Sequence, residues 1–164
     1  MRFYNQLVNL STKKNITMTA IFTGSFDPFT IGHADIVGRA LPLFDRIVIG
    51  IGVNERKKCM FTAEQRMAQI SRFYAAEPKI EVKTYNDLTI DFARRENARF
   101  IIKGVRSVKD FEYEREQADI NRQLGGVETL LLCSDPRCSA VSSSLVRELM
   151  HFGRDVSGFL PKEK

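Results

Sequence analysis

A loop rich in glycine and hydroxyl groups is the first segment of this chain whose residue types could do chemistry. The residues GSFDPFTIGH (24–33) follow a short apolar run, TAIFT (19–23), and lead into a predicted helix. Glycines let a backbone approach phosphates closely, and the free N–H groups at a helix N-terminus favour anions. His33 at the helix start can donate a hydrogen bond to a phosphate oxygen. A lone G-x-x-H is more often only a tight turn, so the interpretation needs a second signal.

The second signal is a run of serines, VSSSLVR (141–147), which opens the last predicted helix after the apolar run ETLLLC (128–133). Successive hydroxyls and backbone amides at a helix start form an anion nest. One serine is enough for an N-cap, so three in a row indicate more than capping. We interpret Ser25 as a phosphate-binding hydroxyl rather than a nucleophile, because the other histidine, His151, is far away in sequence.

Cations follow two of the other predicted strands. Lys57 follows the second, and Lys103 and Arg106 follow the fourth. A single surface cation is usually only solvated, but three at strand ends favour an anionic ligand. The formal net charge is +5, and the basic residues are scattered without the long Lys/Arg run of a nucleic-acid arm. The sequence therefore favours a phosphate-rich small molecule over nucleic acid.

Five apolar runs predict the strands that position these residues, and helices are predicted between them. The predicted strands are 19–23, 46–53, 80–84, 99–104 and 128–133, and the predicted helices are 32–41, 62–77, 91–97, 110–124 and 143–152. This alternation predicts an α/β, Rossmann-like fold with one open parallel five-stranded sheet and helices on both faces. Open sheets of this kind bind ligands beyond the carboxyl ends of their strands. The loops that begin at Thr23, Val53, Thr84, Lys103 and Cys133 are therefore the expected site.

Composition limits the class of protein. The chain has 164 residues, of which 43% are hydrophobic and 27% charged, which is typical of one soluble domain. We expect a single domain over 18–164 and an N-terminal extension over 1–17 that is disordered or not native. The cysteines form no C-x-x-C pair and the two histidines have no ligand spacing to them, so we expect no protein-built metal site. No apolar run approaches the length of a membrane span, and no signal peptide is evident, so we expect a cytoplasmic protein.

Several segments together carry a family resemblance: GSFDPFTIGH, KKCMFTAEQR, IIKGVRSVKDFEYE, DFEYEREQADINRQL and SSSLVREL. They resemble the bacterial phosphopantetheine adenylyltransferase family, one of the nucleotidyltransferases whose (H/T)xGH signature here reads Thr30-Ile31-Gly32-His33. The similarity extends over residues 19–161 in the family's order. It implies a hexameric enzyme that transfers the adenylyl group of ATP to 4′-phosphopantetheine, giving dephospho-coenzyme A and pyrophosphate. It also implies that Mg²⁺ arrives with the ATP.

The resemblance implies a role for each matched position. Ser25 would lie between the two substrates, Phe26 would contact ATP through its backbone, and His33 would bind the ATP phosphates and stabilise the transition state. The expected acceptor-binding residues are Ser25, Lys57, Thr89 and Lys103. The other expected ATP-binding residues are Gly104, Val105, Arg106, Glu114, Cys138, Ser139, Ala140, Val141, Ser142, Ser143 and Ser144. Lys103 stands where the family often has Arg, and Cys138 where it often has an aromatic residue.

Two alternatives remain open from the sequence. One is another enzyme of the superfamily, such as a cytidylyltransferase or a nicotinamide-mononucleotide adenylyltransferase. The other is a nucleotide-binding regulator that kept the pocket and lost catalysis. The presence of His33, Lys57 and Arg106 counts against the regulator.

Overall fold

The strand β1 (Thr19–Gly24) lies at the centre of a five-stranded sheet. The structure is a computed structural model and describes residues 17–54 and 58–162. The other strands are β2 (Arg46–Gly52), β3 (Ile80–Tyr85), β4 (Phe100–Val105) and β5 (Glu128–Cys133). Their order is β3-β2-β1-β4-β5, and every neighbouring pair is parallel. The order reverses between β1 and β4, and a reversal of this kind opens a crevice for ligands at the carboxyl ends of the strands.

In the described part of the chain, five α-helices connect the strands or follow them: α1 (Ile31–Ala40), α2 (Ala63–Phe73), α3 (Thr89–Arg95), α4 (Val108–Gly125) and α5 (Ser143–His151). A 3₁₀ turn over Leu41–Leu43 extends α1. The predicted helices are present, with shifted ends. The helix α2 ends at Phe73 rather than 77, and α4 begins two residues earlier than predicted. The early start follows from its cap, because the Ser107 hydroxyl accepts a hydrogen bond from the Asp110 N–H at 3.1 Å.

The sheet is covered on both faces, as predicted. On one face, Phe22 of β1 packs in a buried cluster with Ile36 of α1 and Ile70 of α2. On the other face, Ile21 of β1 packs with Phe92 of α3. Because successive side chains of a strand point to opposite faces, a central strand such as β1 must be apolar at consecutive positions.

Two predicted helix ends have the expected hydrogen bonds. At the start of α2, the Thr62 hydroxyl accepts from the Gln65 N–H at 3.2 Å, and the Gln65 side chain accepts from the Thr62 N–H at 2.9 Å. This reciprocal pair is a capping box, and the three-residue spacing of Thr62 and Gln65 in the sequence is typical of one. The helix α4 is capped at its C-terminus by Gly126, whose φ of 64° lies in the left-handed region that glycine adopts easily.

The expectation about an N-terminal extension stays a prediction, because residues 1–16 lie outside the described part of the chain. Near the beginning of the described chain, the Met18 N–H donates a hydrogen bond to the Asp45 carboxylate at 2.8 Å. No helix among the described residues is both long enough and apolar enough to cross a membrane.

Candidate active site

Two cavities lie side by side at the carboxyl ends of the strands. The first has a volume of about 470 Å³ and is formed mainly by the loop after β1, the beginnings of α1 and α4, and the serine run at the start of α5. The second has a volume of about 790 Å³ and extends across the ends of β2 and β3. Both are lined by Thr23, Gly24, Ser25, Lys103 and Tyr113. Two ligands bound in these cavities would therefore meet at Ser25 and Lys103.

The turn after β1 brings the backbone to the wall shared by the cavities. Phe26 has a φ of 48°, in the left-handed region that is uncommon for a non-glycine residue. Its ring folds back over Gly24, where a Cβ atom would lie only 2.9 Å from a ring carbon of Phe26. Glycine at 24 therefore allows the tight turn, which leaves Ser25 exposed between the two cavities.

His33 faces the first cavity from the first turn of α1. Its Nδ1 atom accepts a hydrogen bond from the Thr30 N–H at 3.0 Å, and its ring stacks on Phe29 with centroids 5.3 Å apart. Burial, reinforced by the positive charge of Arg106, lowers the pKa of His33 to about 4. The ring is therefore neutral at pH 7 and carries its proton on Nε2. In this state the Nε2–H group can donate a hydrogen bond, and Nδ1 is already occupied as an acceptor.

The Asp27 side chain and backbone hold the turn to two other segments. Its carboxylate accepts hydrogen bonds from the N–H groups of Met60 at 2.8 Å and Phe61 at 2.9 Å. Its carbonyl accepts from Arg147 of α5 at 2.5 Å. The turn, the segment before α2 and the start of α5 are thus held in fixed relative positions.

Each of the three serines that open α5 has its own contact. The Ser142 hydroxyl caps the helix by accepting from the Leu145 N–H at 3.1 Å. The Ser143 hydroxyl donates to the Pro28 carbonyl at 2.8 Å, and Ser144 accepts from Arg147 at 3.1 Å. All three line the first cavity. The run therefore does more than cap, because it also joins α5 to the turn after β1. Its interpretation as an anion nest stays a prediction.

Lys103 and Arg106, at the end of β4, each face a carboxylate of α4. The Lys103 ammonium lies 3.6 Å from Glu114. The backbone N–H and the Nε atom of Arg106 both donate to Asp110, at 3.2 Å and 3.0 Å. Asp110 and Glu114 are four residues apart and so lie on one face of the helix. The two cations and two carboxylates thus form two ion pairs that line the first cavity.

The second cavity presents hydroxyl, amide and carboxylate groups. The Tyr85 hydroxyl lies 3.4 Å from the Thr89 hydroxyl, and the Tyr85 ring stacks on Phe92 with centroids 4.6 Å apart. Asn86 and Asp87 also line this cavity. An elongated molecule with both apolar segments and amide groups would find partners along this surface.

The structure brings most of the predicted site residues together. The predicted residues that line the first cavity are Ser25, Phe26, His33, Lys103, Gly104, Arg106, Glu114, Cys138, Val141, Ser142, Ser143 and Ser144. Thr89 lines the second, together with Ser25 and Lys103. Val105, Ser139 and Ala140 line neither of these cavities. Lys57 lies outside the described residues.

The cavity-lining residues that sequence reasoning missed include Asp110, Tyr113, Arg147 and Tyr85. A signal existed for Asp110, because it stands one turn before Glu114 on a predicted helix. Among the described residues, no group of three or more His, Cys, Asp or Glu side chains could hold a metal ion. The carboxylates that line the first cavity are Asp110 and Glu114, and both face protein cations.

A family model and curated relatives match most of this chain. The family model for cytidylyltransferase-like proteins matches residues 21–149. The phosphopantetheine adenylyltransferase of Porphyromonas gingivalis is 58% identical over 150 residues, which cover 92% of this chain and 96% of that protein. The phosphopantetheine adenylyltransferase of Bacteroides fragilis is 54% identical over 143 residues, covering 87% of this chain and 95% of that protein.

Solved structures share the fold. A bifunctional NMN adenylyltransferase/ADP ribose pyrophosphatase from Francisella tularensis superposes with a TM-score of 0.68 at 15% identity. The match covers 91% of this chain, which spans a little under half of that protein (46%). A putative nicotinate-nucleotide adenylyltransferase from Vibrio parahaemolyticus superposes with a TM-score of 0.63 at 15% identity, covering 90% of this chain and 95% of that protein. At this level of identity the likeness concerns the fold alone.

Proposed function

Since the chain belongs to the phosphopantetheine adenylyltransferases, within the cytidylyltransferase-like family, we propose that it transfers the adenylyl group of ATP to 4′-phosphopantetheine. The products are dephospho-coenzyme A and pyrophosphate. The observation that carries the proposal is the pair of cavities that meet at Ser25 and Lys103. The first offers N–H groups, hydroxyls and cations for a nucleoside triphosphate. The second, with a volume of about 790 Å³ and a lining of hydroxyl and amide groups, can hold the pantetheine arm.

The reaction joins the two ligands directly. An oxygen of the acceptor phosphate attacks the α-phosphorus of ATP, a new P–O bond forms, and the bond from that phosphorus to the pyrophosphate oxygen breaks. Because phosphates supply both the nucleophile and the leaving group, the protein's task is positioning and charge stabilisation. The state of His33 supports this direct route. Among the described residues, it is the histidine that lines the cavity with Ser25, and its proton lies on the ring nitrogen left free for ligands, so it is not a base for Ser25.

His33 is the proposed transition-state stabiliser. The Thr30 N–H donates a hydrogen bond to Nδ1 and fixes the ring, so the Nε2–H group is the donor available to phosphate oxygens. Negative charge moves toward the leaving pyrophosphate as the reaction proceeds. A donor aimed at those oxygens then binds the transition state more tightly than it binds ATP, and that difference lowers the barrier.

The proposed ligand contacts follow the two cavities. ATP, arriving with Mg²⁺ on its phosphates, binds in the first cavity beside His33, Arg106 and the serine run. Mg²⁺ keeps several waters and needs few protein ligands, which suits a cavity whose carboxylates already face cations. The acceptor binds in the second cavity near Thr89, with its phosphate toward Lys103. Lys57 remains a proposed acceptor contact by resemblance.

We also propose a homohexamer located in the cytoplasm. The family resemblance supports the hexamer, and so do apolar side chains of α4 that are exposed in the single chain: Val108, Phe111, Ile120 and Leu124. Burial of such side chains between subunits would be favourable. The cytoplasm is supported by the cysteines, since Cys59, Cys133 and Cys138 are all free thiols, as expected in a reducing compartment.

A substrate panel tests the proposed function. The protein is incubated with ATP or CTP and, separately, with 4′-phosphopantetheine, nicotinamide mononucleotide or phosphocholine, and pyrophosphate release is measured. We expect release with ATP and 4′-phosphopantetheine, and dephospho-coenzyme A as the second product by mass spectrometry. Release only with CTP or only with nicotinamide mononucleotide would replace the substrate assignment. Tight ATP binding without turnover on any acceptor would favour a nucleotide-binding regulator.

A further inference from the structure

Arg66 is a buried cation that lines neither of the two cavities. It lies on α2 in line with Ile70 and Phe73, on the stripe that faces the core, and only 4% of its surface is exposed. Its hydrogen bonds among the described residues go to backbone carbonyls, that of Ser25 at 2.5 Å and that of Thr62 at 3.3 Å. Burying a guanidinium is unfavourable unless its N–H groups find acceptors. The Ser25 carbonyl is therefore a principal partner of this charge.

The bond from Arg66 fixes the orientation of one peptide group. The Ser25–Phe26 peptide is trans, so its C=O and N–H bonds point in opposite directions. The carbonyl points toward Arg66, which lines neither cavity, whereas Phe26 lines the first cavity. The Phe26 N–H consequently points away from α2.

The conformation of Phe26 indicates that this orientation needs support. Its φ of 48° is unfavourable for a residue with a side chain. Rotating the Ser25–Phe26 peptide by about half a turn would bring φ to a negative value and would reverse the N–H. The isolated turn therefore favours the opposite orientation, and the hydrogen bond from Arg66 opposes that rotation.

We propose that Arg66 is a positioning residue for adenylyl transfer, because it holds the Ser25–Phe26 peptide with the Phe26 N–H directed at the phosphates in the first cavity. This inference rests on the proposed function for its ligand. Arg66 touches neither substrate and acts through the peptide. Its second bond, to the Thr62 carbonyl at the start of α2, fixes the guanidinium against the helix from which it reaches the turn.

The same helix offers a matched control. Arg72 is also an arginine of α2, but it is exposed and lies outside both cavities. The test variants are Arg66→Lys, which keeps the charge but loses the planar fork, and Arg66→Met, which removes the charge. The control is Arg72→Met.

The experiment combines kinetics with amide NMR. We expect Arg66→Lys to lower kcat roughly 100-fold, in the range for loss of one transition-state donor, with a smaller effect on the Kd for ATP. Arg72→Met should retain kcat. In the wild-type protein, the Phe26 amide proton should move downfield on addition of α,β-methylene-ATP, because an N–H that donates to phosphate is deshielded. In Arg66→Lys this shift should be lost while the analogue still binds.

The NMR measurement distinguishes a failure of this inference from a failure of the proposed function. If the wild-type protein binds the analogue without shifting the Phe26 amide, or if Arg66→Lys keeps both the shift and the wild-type kcat, the positioning role is wrong. A fall in Tm for Arg66→Lys with unchanged kcat would also overturn it, since Arg66 would then serve stability alone. If Arg66→Met does not fold, the kcat of Arg66→Lys and the Phe26 amide shift of the wild-type protein still test the positioning role. A wild-type protein that shows the Phe26 shift but releases no pyrophosphate would overturn the proposed reaction and support the peptide's orientation.

Discussion

The Nδ1 atom of His33 accepts a hydrogen bond from the backbone N–H of Thr30 at 3.0 Å, and this single bond sets the chemistry of the ring. An accepting Nδ1 carries no proton, so the neutral ring must carry its proton on Nε2. Burial, together with the nearby charge of Arg106, keeps the ring neutral by lowering its pKa to about 4. His33 is thus prepared as a donor before any ligand arrives.

The first prediction concerns the titration of His33 in the ligand-free protein. Its pKa of about 4 lies below the value of 6.5 in an unfolded chain. Below pH 6.5 the unfolded chain takes up a proton that the folded chain does not, so the free energy of unfolding should fall as the pH drops from about 6.5 to 4. NMR of the ring nitrogens should show neutral His33 at pH 6. A titration midpoint near 6.5 would contradict the buried, neutral ring.

The second prediction concerns Asp110, which accepts two hydrogen bonds from Arg106 beside the first cavity. Asp110→Asn keeps an acceptor oxygen for Arg106 but removes a negative charge from a cavity proposed to bind a triphosphate. We expect the Kd for ATP to fall about two- to fivefold, since one charge contributes about 1 kcal/mol at this range. Calorimetry measures the change.

The control for Asp110 lies on the same helix. Asp119 pairs with Arg122 at 3.1 Å on the exposed part of α4, away from both cavities. Asp119→Asn should leave the Kd for ATP unchanged. Equal changes in both variants would mean that the effect is one of overall net charge and not of the Arg106 pair.

The third prediction concerns Lys103, which lines both cavities and lies 3.6 Å from Glu114. Lys103→Ala should weaken binding of 4′-phosphopantetheine by about one to two decades, the value of a charge-assisted hydrogen bond, and should weaken ATP binding less. Lys109→Ala, an exposed lysine of α4, is the control and should bind both ligands normally. Equal losses of the two ligands in Lys103→Ala would refute the acceptor role.

The fourth prediction concerns stability at the other end of the sheet. The Glu96 carboxylate accepts hydrogen bonds from Lys83 at 2.8 Å and from Arg46 at 2.7 Å. Burial opposes its ionisation, but the bonds from Lys83 and Arg46 outweigh burial and hold the pKa of Glu96 below its ordinary value of 4.5. Glu96→Gln should lower the free energy of unfolding at pH 7 by about 2–3 kcal/mol, the scale of hydrogen bonds to charged groups.

The pH dependence of this cluster has a defined sign. Because the folded pKa of Glu96 is depressed, its contribution is present above about pH 4.5 and is lost as the pH falls below that value. Urea unfolding of wild type and Glu96→Gln should therefore converge at low pH, while kcat of the folded variant stays near the wild-type value. An exposed counterpart, Glu116→Gln on α4, should not change the free energy of unfolding measurably.

Most of the fold could be predicted because its central strands are apolar on both faces. Consecutive apolar residues such as those of β2 have few other stable arrangements in a chain of this size, and the capping residue Thr62 marks a helix start directly. The boundaries of α3 and α4 shifted by about two residues, because caps and first turns are set by individual hydrogen bonds such as that of Ser107.

The candidate site was predicted less completely, for a physical reason. Motifs and strand ends identify side chains at the edge of the sheet where ligands bind, so His33, Lys103 and the serine run could be predicted to line the first cavity. They do not identify side chains that act on the backbone, such as Arg66 on the Ser25 carbonyl or Asp27 on the N–H groups of Met60 and Phe61. A charged residue within the apolar stripe of α2 was the available signal for Arg66.

The most direct test of the account is the kinetic effect of His33→Ala. A neutral donor that acts mainly in the transition state predicts that kcat with ATP and 4′-phosphopantetheine falls roughly 10²–10³-fold, as for loss of an oxyanion donor. The Kd for ATP should change far less, and the variant should remain folded by circular dichroism. A folded variant with near-wild-type kcat, or one whose entire loss lies in ATP affinity, would contradict the central role of His33.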